Sequence, residues 1–224
     1  MGHTLSGQPG ARAYSLPLQQ PVGSLRGVYA LERTAAVLAM VALAPLAAIL
    51  AAAIAILSRR SPLIRHMRVG WRGAPLPMLK FRTMWNRLDP PGQWLAVEDV
   101  FEGAPAAKTP ADARIGSRFA SFCRRYSLDE LPQLYHVARG EMSLVGPRPI
   151  TRRELDEHYV SCLDDVLSYR PGITGLWQVM GRNRLTYAQR RRLDLWFTRK
   201  ASPGLYFAIL VRSVPTIFAG KGAY

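Results

Sequence analysis

The sequence predicts an α+β protein that is mostly helical. We expect one N-terminal membrane helix, re-entrant or kinked, and a small cytoplasmic domain with amphipathic interfacial helices. Three observations predict this architecture. Residues 35–57 carry no charge and are long enough to cross a bilayer core, which takes roughly 20 helical residues. Residues 76–84 alternate like a strand, and several later segments repeat apolar residues at helical spacing.

The apolar run contains Pro45 near its middle. A proline inside a helix removes a backbone donor and bends the helix. Basic residues flank the run on both sides, Arg26 and Arg33 before it and Arg59 and Arg60 after it, and such residues mark the cytoplasmic side. A re-entrant hairpin bent at Pro45 would keep both ends in the cytoplasm, whereas a kinked span would not. The residues leave both arrangements open, but the run begins too far into the chain for a signal peptide.

Three regions follow along the chain. Residues 1–27 are rich in Gly, Pro, Ser and Gln and are predicted to form a mobile tail. Residues 28–58 form the membrane helix, and residues 59–224 form the cytoplasmic catalytic domain. Residues 86–113 hold several prolines without periodicity, which predicts a long loop.

The elements of the catalytic domain follow from periodicity. The strand is expected to place Leu79, Phe81 and Thr83 on one face. Helices are predicted over residues 114–125, 131–137, 152–168, 187–200 and 205–218.

Charge narrows the class of partner. The 224 residues include 30 Lys and Arg against 15 Asp and Glu, a formal net charge of +15. Such a charge favours nucleic acid, anionic lipid or phosphorylated small molecules. A hydrophobic content of 49% argues against disorder. Cys123 and Cys162 form no CxxC pair and are predicted to be reduced thiols in a cytoplasmic compartment.

One pair of acidic residues, Asp129-Glu130, stands out from three similar pairs. Apolar residues flank it closely, and Arg124-Arg125 precede it. The local pattern has two interpretations. Ser127 with Glu130 three residues later is a capping-box pattern, or the two carboxylates perform chemistry. The interpretations are compatible, because a helix start also attracts anions.

Other motifs surround this pair. Arg148 stands between Pro147 and Pro149, which fix the backbone and present a guanidinium suited to phosphate oxygens. The alternative is a turn with a solvated arginine. Residues 171–178 form a Gly-rich turn leading into an apolar, extended stretch, or a buried loop. Residues 70–73 fit the GxxG loop of a KH RNA-binding module, but the order of elements around them is not KH-like.

A series of longer motifs occurs in fixed order. The segments are Arg68-Val69-Gly70, Lys80-Phe81-Arg82-Thr83-Met84, Asp112-Ala113-Arg114-Ile115, Ser127-Leu128-Asp129-Glu130-Leu131-Pro132-Gln133-Leu134, Met142-Ser143-Leu144-Val145-Gly146-Pro147-Arg148-Pro149, Pro171-Gly172-Ile173-Thr174-Gly175-Leu176-Trp177-Gln178-Val179 and Gly222-Ala223-Tyr224. Together they resemble the bacterial sugar transferases, which are monotopic polyprenyl-phosphate phosphoglycosyl transferases. The resemblance covers about residues 31–224.

This resemblance implies a mechanism. The apolar helix would re-enter at Pro45, and Asp129 and Glu130 would form the catalytic dyad. The Asp would attack the β-phosphate of a UDP-sugar, form a phospho-sugar enzyme and release UMP. Polyprenyl phosphate would then take the phospho-sugar. Mg²⁺ is the implied cofactor, with Asp129 and Glu141 as candidate ligands.

The resemblance also implies the partners of the enzyme. They are a UDP-sugar, polyprenyl phosphate, the anionic inner leaflet and other polysaccharide-assembly enzymes, with no nucleic acid. The location is the cytoplasmic face of the bacterial inner membrane. The substrate-binding candidates are Arg148, Pro147, Pro149, Arg124, Arg125, Lys80 and Arg82.

Two residues depart from the usual pattern of the family near the dyad. His136 stands where Asn is usual, and Glu141 where Asp is usual. Two other functions remain open at this stage. One is a membrane-tethered nucleic-acid binder, with salt-dependent binding, and the other is a non-catalytic scaffold for polysaccharide assembly. The sugar is not readable, and its recognition is expected in residues 86–113 or 177–184.

Overall fold

The computed structural model describes residues 25–85, 98–100 and 117–219. Residues 1–24 of the predicted tail and most of the predicted loop 86–113 lie outside the described residues, as do the motifs at 112–115 and 222–224. Residues 26 and 27, predicted as part of the tail, instead begin the first helix. The helices are α1 (Arg26–Ser58), α2 (Arg118–Arg125), α3 (Leu134–Arg139), α4 (Arg152–Glu154), α5 (Leu163–Leu167), α6 (Leu176–Met180), α7 (Tyr187–Lys200) and α8 (Pro203–Ala219). The strands are β1 (Leu63–Val69), β2 (Pro75–Phe81), β3 (Glu98–Val100), β4 (Ser143–Val145) and β5 (Gly172–Thr174). The mostly helical content with few strands confirms the predicted class.

Helix α1 turns one face toward the rest of the protein. Its buried residues lie toward the two ends and are Val28, Tyr29, Glu32, Ala36, Leu50 and Ile54, with Leu25 just before the helix. Between the ends, the half-buried Ala39, Leu43 and Ala47 continue this face at helical spacing. The opposite face exposes apolar side chains such as Leu38 (65%), Val41 (71%) and Ile49 (67%). The helix is long and apolar enough to cross a membrane.

Both ends of α1 pack on the catalytic domain. The N-terminal end joins the core cluster of Tyr169 and Phe197, and the C-terminal end joins the cluster of Phe81 and Cys123. The helix is continuous through Pro45. Whether it re-enters or spans therefore stays a prediction, but its two ends are held by one folded unit.

Three strands form the larger sheet, in the order β2-β1-β3. Strands β1 and β2 are antiparallel and are joined by residues 70–74. The motif at 70–73 is thus the connection of a β-hairpin, so the KH interpretation is wrong. The prediction for β2 is confirmed in part. Leu79 and Phe81 lie on one face of the strand, but the strand ends at Phe81, so Thr83 lies beyond it. On the other face, Leu76 and Met78 are buried at 3% and 2% exposed.

The predicted bounds of the last two helices agree closely with the structure. Helix α7 has the predicted bounds, and α8 extends the predicted segment slightly at each end. Residues 152–168 are helical but not uniform, because a π-helical stretch at Leu155–Tyr159 and a 3₁₀ turn separate α4 from α5. The Gly-rich segment at 171–178 is strand β5 followed by helix α6 and is not extended throughout. Both cysteines are buried and free, as predicted.

Candidate active site

The dyad lies on a 3₁₀ segment, Leu128–Gln133, that leads directly into α3. Ser127 precedes it in the left-handed region, with φ 55°, and its side chain makes no capping hydrogen bond. The capping-box interpretation is therefore wrong here. The Glu130 carboxylate instead pairs with Lys80 of β2, with 3.1 Å between Nζ and Oε1. Only a contact across the fold could reveal this, since Lys80 and Glu130 are distant in sequence.

The surroundings of Asp129 combine burial with charge. Burial raises the pKa of its carboxyl to about 6, and the neighbouring Glu130 carboxylate contributes to the rise. Lys80 and Arg124 oppose it, because nearby cations favour the ionised form. The Nε of Arg124 is buried without a hydrogen-bond partner among the described residues. Asp129 is thus an ionisable group poised near neutral pH, as expected of a group that acts chemically.

The pKa of Glu130 shifts in the opposite direction to that of Asp129. Burial alone would raise the pKa of its carboxyl, but Lys80, Arg148 and Arg182 together hold the pKa below its ordinary value. Glu130 therefore stays ionised while its neighbour titrates. Two adjacent carboxyls with pKa values moved apart are a common arrangement in acid–base and nucleophilic sites.

Arg148 lies in a segment whose backbone packs closely against β5. Its flanking residues Pro147 and Pro149 are buried, and Arg148 is half-buried. Gly146 and Gly172 lie back to back, because a Cβ on Gly172 would come within 2.1 Å of the Gly146 nitrogen. Gly172 N donates to Pro147 O over 2.8 Å. The two motifs that carry the glycines are thereby joined, and the arginine is fixed relative to β5 and α6.

Aromatic residues border the arginine. The Arg148 guanidinium carbon lies 5.8 Å from the centre of the Trp177 ring, and that of Arg190 lies 4.7 Å from it. These separations fall in the range of cation–π contacts. The indole Nε1 of Trp177 is buried without a hydrogen-bond partner among the described residues. The predicted sugar-recognition segment at 177–184 thus begins beside Arg148.

Three predicted residues have other surroundings. Arg125 is exposed and its guanidinium lies over the Tyr126 ring. Arg82 is buried, and its Nε donates to Ser61 O over 2.8 Å. Both oxygens of Glu141 are engaged, Oε2 with His136 at 2.7 Å and Oε1 with Arg139 at 2.6 Å. The largest charge effects on the pKa values of the dyad carboxyls come from other residues. The binding roles of Arg125, Arg82 and Glu141 stay predictions without support from these contacts.

Sequence reasoning missed Arg182 as a named site residue. It is half-buried, it acts on the Glu130 carboxyl, and its own pKa falls because of burial and the nearby Arg148. Its backbone is left-handed, with φ 49°, a conformation that costs energy for a residue with a side chain. The pair Gly181-Arg182, directly after the helix of Trp177, was the available signal.

The resulting site is a pair of carboxylates facing four cations. The cations are Lys80, Arg124, Arg148 and Arg182. More positive charge faces the dyad than the dyad can neutralise. Such a site suits a substrate that brings several negative charges, and a carboxylate there can attack an electrophilic phosphorus.

Comparison with known proteins agrees with this chemistry. The family model described as bacterial sugar transferase matches residues 27–220. The matched range contains every residue of the site described above.

Three relatives illustrate the range of similar proteins. The exopolysaccharide production protein ExoY of Sinorhizobium fredii is 34% identical over 95% of this chain and 96% of its own length. The UDP-galactose-lipid carrier transferase of Erwinia amylovora is 40% identical over 73% of this chain but only 35% of its own length. The UDP-glucose:undecaprenyl-phosphate glucose-1-phosphate transferase of Caulobacter vibrioides is 36% identical over 87% of this chain and 70% of its own length. The chain thus spans nearly all of one relative and about a third of another.

Proposed function

Since the chain belongs to the bacterial sugar transferase family, and is therefore a phosphoglycosyl transferase, we propose that it moves a sugar 1-phosphate from a UDP-sugar to polyprenyl phosphate. The observation that carries the proposal is the Asp129–Glu130 dyad among Lys80, Arg124 and two further arginines. The cations match a diphosphate, and the carboxylate supplies a nucleophile. The names of the Erwinia and Caulobacter relatives describe sugar transfer to a lipid carrier, which supports the same reaction class.

The proposed reaction has two displacements at one phosphorus. In the first, an Asp129 oxygen attacks the β-phosphorus of the UDP-sugar, the bond from that phosphorus to the bridging oxygen breaks, and UMP leaves. In the second, a phosphate oxygen of the lipid attacks the same phosphorus and the bond to Asp129 breaks. The products are the sugar-diphospho-lipid and the free carboxylate. Splitting one transfer into two steps lets a single charge cluster serve both.

Each neighbour has a distinct part in this scheme. Lys80 keeps Glu130 ionised, and Arg148 and Arg182 lie where they would bind phosphate oxygens of the donor. Arg124 lowers the pKa of Asp129, which favours the nucleophilic form. Glu130 stays ionised beside Asp129 and raises its pKa, which strengthens the basicity of the attacking carboxylate.

The dyad also fits Mg²⁺. This ion commonly takes one or two carboxylates together with substrate phosphates. No group of three or more His, Cys, Asp or Glu side chains suited to a metal occurs among the described residues, so the donor phosphates would complete the set. Asp129 would hold the ion, which when bound neutralises phosphate charge.

The packing of α1 supports a re-entrant arrangement. A spanning helix carries one of its ends to the far side of the bilayer, whereas both ends of α1 contact the catalytic domain. Helix α8, like α1, has exposed apolar side chains. Phe207, Val211 and Val214 are at least half exposed. We therefore place both helices in the cytoplasmic leaflet, with the dyad near the lipid phosphates.

The family assignment argues against the nucleic-acid binder and the non-catalytic scaffold. A nucleic-acid binder would need the net charge but no dyad, and a scaffold would need neither the raised pKa of Asp129 nor the cations around it. Anionic lipid is a sufficient partner for the surplus of basic residues.

Release of UMP tests the proposal. Detergent-solubilised protein is incubated with undecaprenyl phosphate, Mg²⁺ and a panel of UDP-sugars, beside Asp129→Asn and the exposed control Asp164→Asn. We expect UMP from one or two sugars, loss of about 10⁴-fold or more in Asp129→Asn, and wild-type turnover in the control. Folded Asp129→Asn with unchanged turnover would refute the nucleophile, and no UMP with any sugar would refute the donor class.

A further inference from the structure

His136 lies where it can control the geometry of the dyad without contacting it. The ring is 2% exposed, on the helix that directly continues the dyad segment. We infer that His136 is a positioning residue, which fixes Lys80 opposite Glu130 by holding the adjacent backbone of β2. The inference rests on the proposed function and adds a residue to its machinery.

The first step of the argument is a hydrogen bond between helix and strand. The backbone N–H of Leu79 donates to His136 Nε2 over 3.1 Å. Strand β2 is the edge of its sheet among the described strands. Ladder positions alternate in an antiparallel pair, so Leu79 directs its N–H away from β1. His136 therefore supplies the acceptor that the sheet does not.

The second step is the place of Lys80 in the sequence. Lys80 follows Leu79 immediately, and its Nζ lies 3.1 Å from Glu130 Oε1. The dyad segment and β2 are thus joined by two neighbouring links, one through a backbone N–H and one through a side chain. Lys80 is a long and flexible side chain. Without the first link, the second can be made from a range of strand positions.

The third step is the tautomer. Because Nε2 accepts from Leu79, the ring proton must lie on Nδ1 in the neutral form. Nδ1 is 2.7 Å from Glu141 Oε2, and Glu141 Oε1 accepts from Arg139 Nε over 2.6 Å. Glu141 selects the tautomer that can hold the strand. This assigns a use to a carboxylate that was a candidate metal ligand.

The consequence for catalysis is specific. Loss of the acceptor at Nε2 would leave the part-buried Leu79 N–H without its partner and let β2 shift relative to the dyad. Displacements of about 1 Å in a catalytic group cost about 100-fold in rate. We therefore expect a loss of about 10- to 100-fold in kcat/KM, carried by Lys80.

The test uses two side chains of equal length. His136→Gln keeps an acceptor near the Nε2 position, and His136→Met removes it. Both variants are measured for UMP release and for thermal unfolding, with the sugar that the wild-type protein accepts. We expect the Met variant to lose 10- to 100-fold and the Gln variant to stay within about threefold of wild type. Equal losses in both folded variants would overturn the inference.

A double-mutant cycle separates positioning from general stability. If His136 acts through Lys80, then His136→Met should lower the rate less than about threefold in a Lys80→Met background. Full additivity would overturn the inference. Should His136→Met fail to fold, Glu141→Leu carries the same cycle, because it leaves the ring free to adopt the tautomer with Nε2–H. Inactive wild-type protein would count against the proposed function instead, which keeps the two failures apart.

Discussion

The dyad carboxylates and the buried Glu32 carboxylate of α1 have different kinds of partners. At the dyad, Asp129 and Glu130 face lysine and arginine side chains, and the buried Arg124 Nε makes no hydrogen bond within the described chain. On α1, Glu32 is 4% exposed and one oxygen accepts hydrogen bonds from Ser143 Oγ, Leu144 N and Tyr206 OH. The dyad thus faces cations, one of which keeps an unused donor, whereas one Glu32 oxygen accepts three hydrogen bonds from neutral donors and its Oε1 is buried without a hydrogen-bond partner among the described residues.

This difference distinguishes a candidate active site, the dyad, from a structural anchor, Glu32, which joins elements of the fold. A carboxylate that joins elements is held in a fixed geometry by hydrogen bonds. Glu32 joins elements in this way, since the three bonds to its Oε2 tie α1 to β4 and α8. A surplus of cations around the dyad does not serve folding, because burying unmatched charge is costly. In the proposed function, this surplus of positive charge binds the negatively charged phosphates of the substrate.

The largest effect is expected from removing the cation that acts on both dyad carboxyls. Lys80→Met should lower kcat/KM about 100-fold or more. Because Lys80 lowers the pKa of Asp129, the variant should also titrate at higher pH. Asp129 must be ionised to attack, so wild-type kcat/KM should fall as pH drops through about 6, and this limb should move upward in the variant.

The pH dependence of UMP release between pH 5 and about 9 measures both effects. Lys200→Met, at the exposed end of α7, is the matched control and should keep the wild-type profile. A Lys80→Met variant that lost rate with an unmoved acid limb would show that Lys80 does not set the charge state of the dyad.

A second substitution tests the anchor. Tyr206→Phe removes one donor to Glu32 and keeps the ring. We expect the free energy of unfolding to fall by about 1.5–3 kcal/mol, as for other hydrogen bonds to charged groups, with kcat of the folded protein and its acid limb unchanged. Thermal unfolding of Tyr206→Phe beside Tyr135→Phe, whose side chain is exposed, measures the difference. An intact melting temperature with reduced kcat would reverse the two roles.

A third effect concerns a buried carboxyl outside both of these groups and is measured as a pH dependence. Asp194 is 1% exposed, burial raises its pKa to about 8, and Tyr159 OH lies 3.0 Å from its Oδ2. The folded protein therefore keeps this proton between the ordinary value of 3.8 and about pH 8, whereas the unfolded chain releases it. The free energy of unfolding should fall as pH rises through that window, by about 1.4 kcal/mol per pH unit at most.

Asp194→Asn removes the titration and should flatten this slope while keeping a partner for Tyr159. Melting temperatures of the two proteins at pH 5 and pH 8 provide the check. Parallel pH slopes would show that Asp194 is ionised in the folded state, which would make it a third member of the charged site beside Arg148.

Sequence patterns identified the dyad, the fixed arginine and the bounds of α7, because each depends on residues close together in the chain. They failed where a distant group competes for a side chain. Ser127 and Glu130 fit a capping box, but Lys80 takes Glu130. Real capping boxes form at Thr151 and Thr186, each with a partner three residues later. The link from His136 to Leu79 is likewise invisible in sequence, because it depends on which strand edge meets α3.

The exposed stripe of α1 has a further consequence for kinetics. In the proposed arrangement at the membrane, a helix that stays apolar on its outer face along its length would keep the enzyme at the bilayer between turnovers. The proposed lipid acceptor would then be met by lateral diffusion in two dimensions. Its effective concentration is the mole fraction in the bilayer, so dilution with neutral detergent should slow turnover even when the bulk concentration of acceptor is constant.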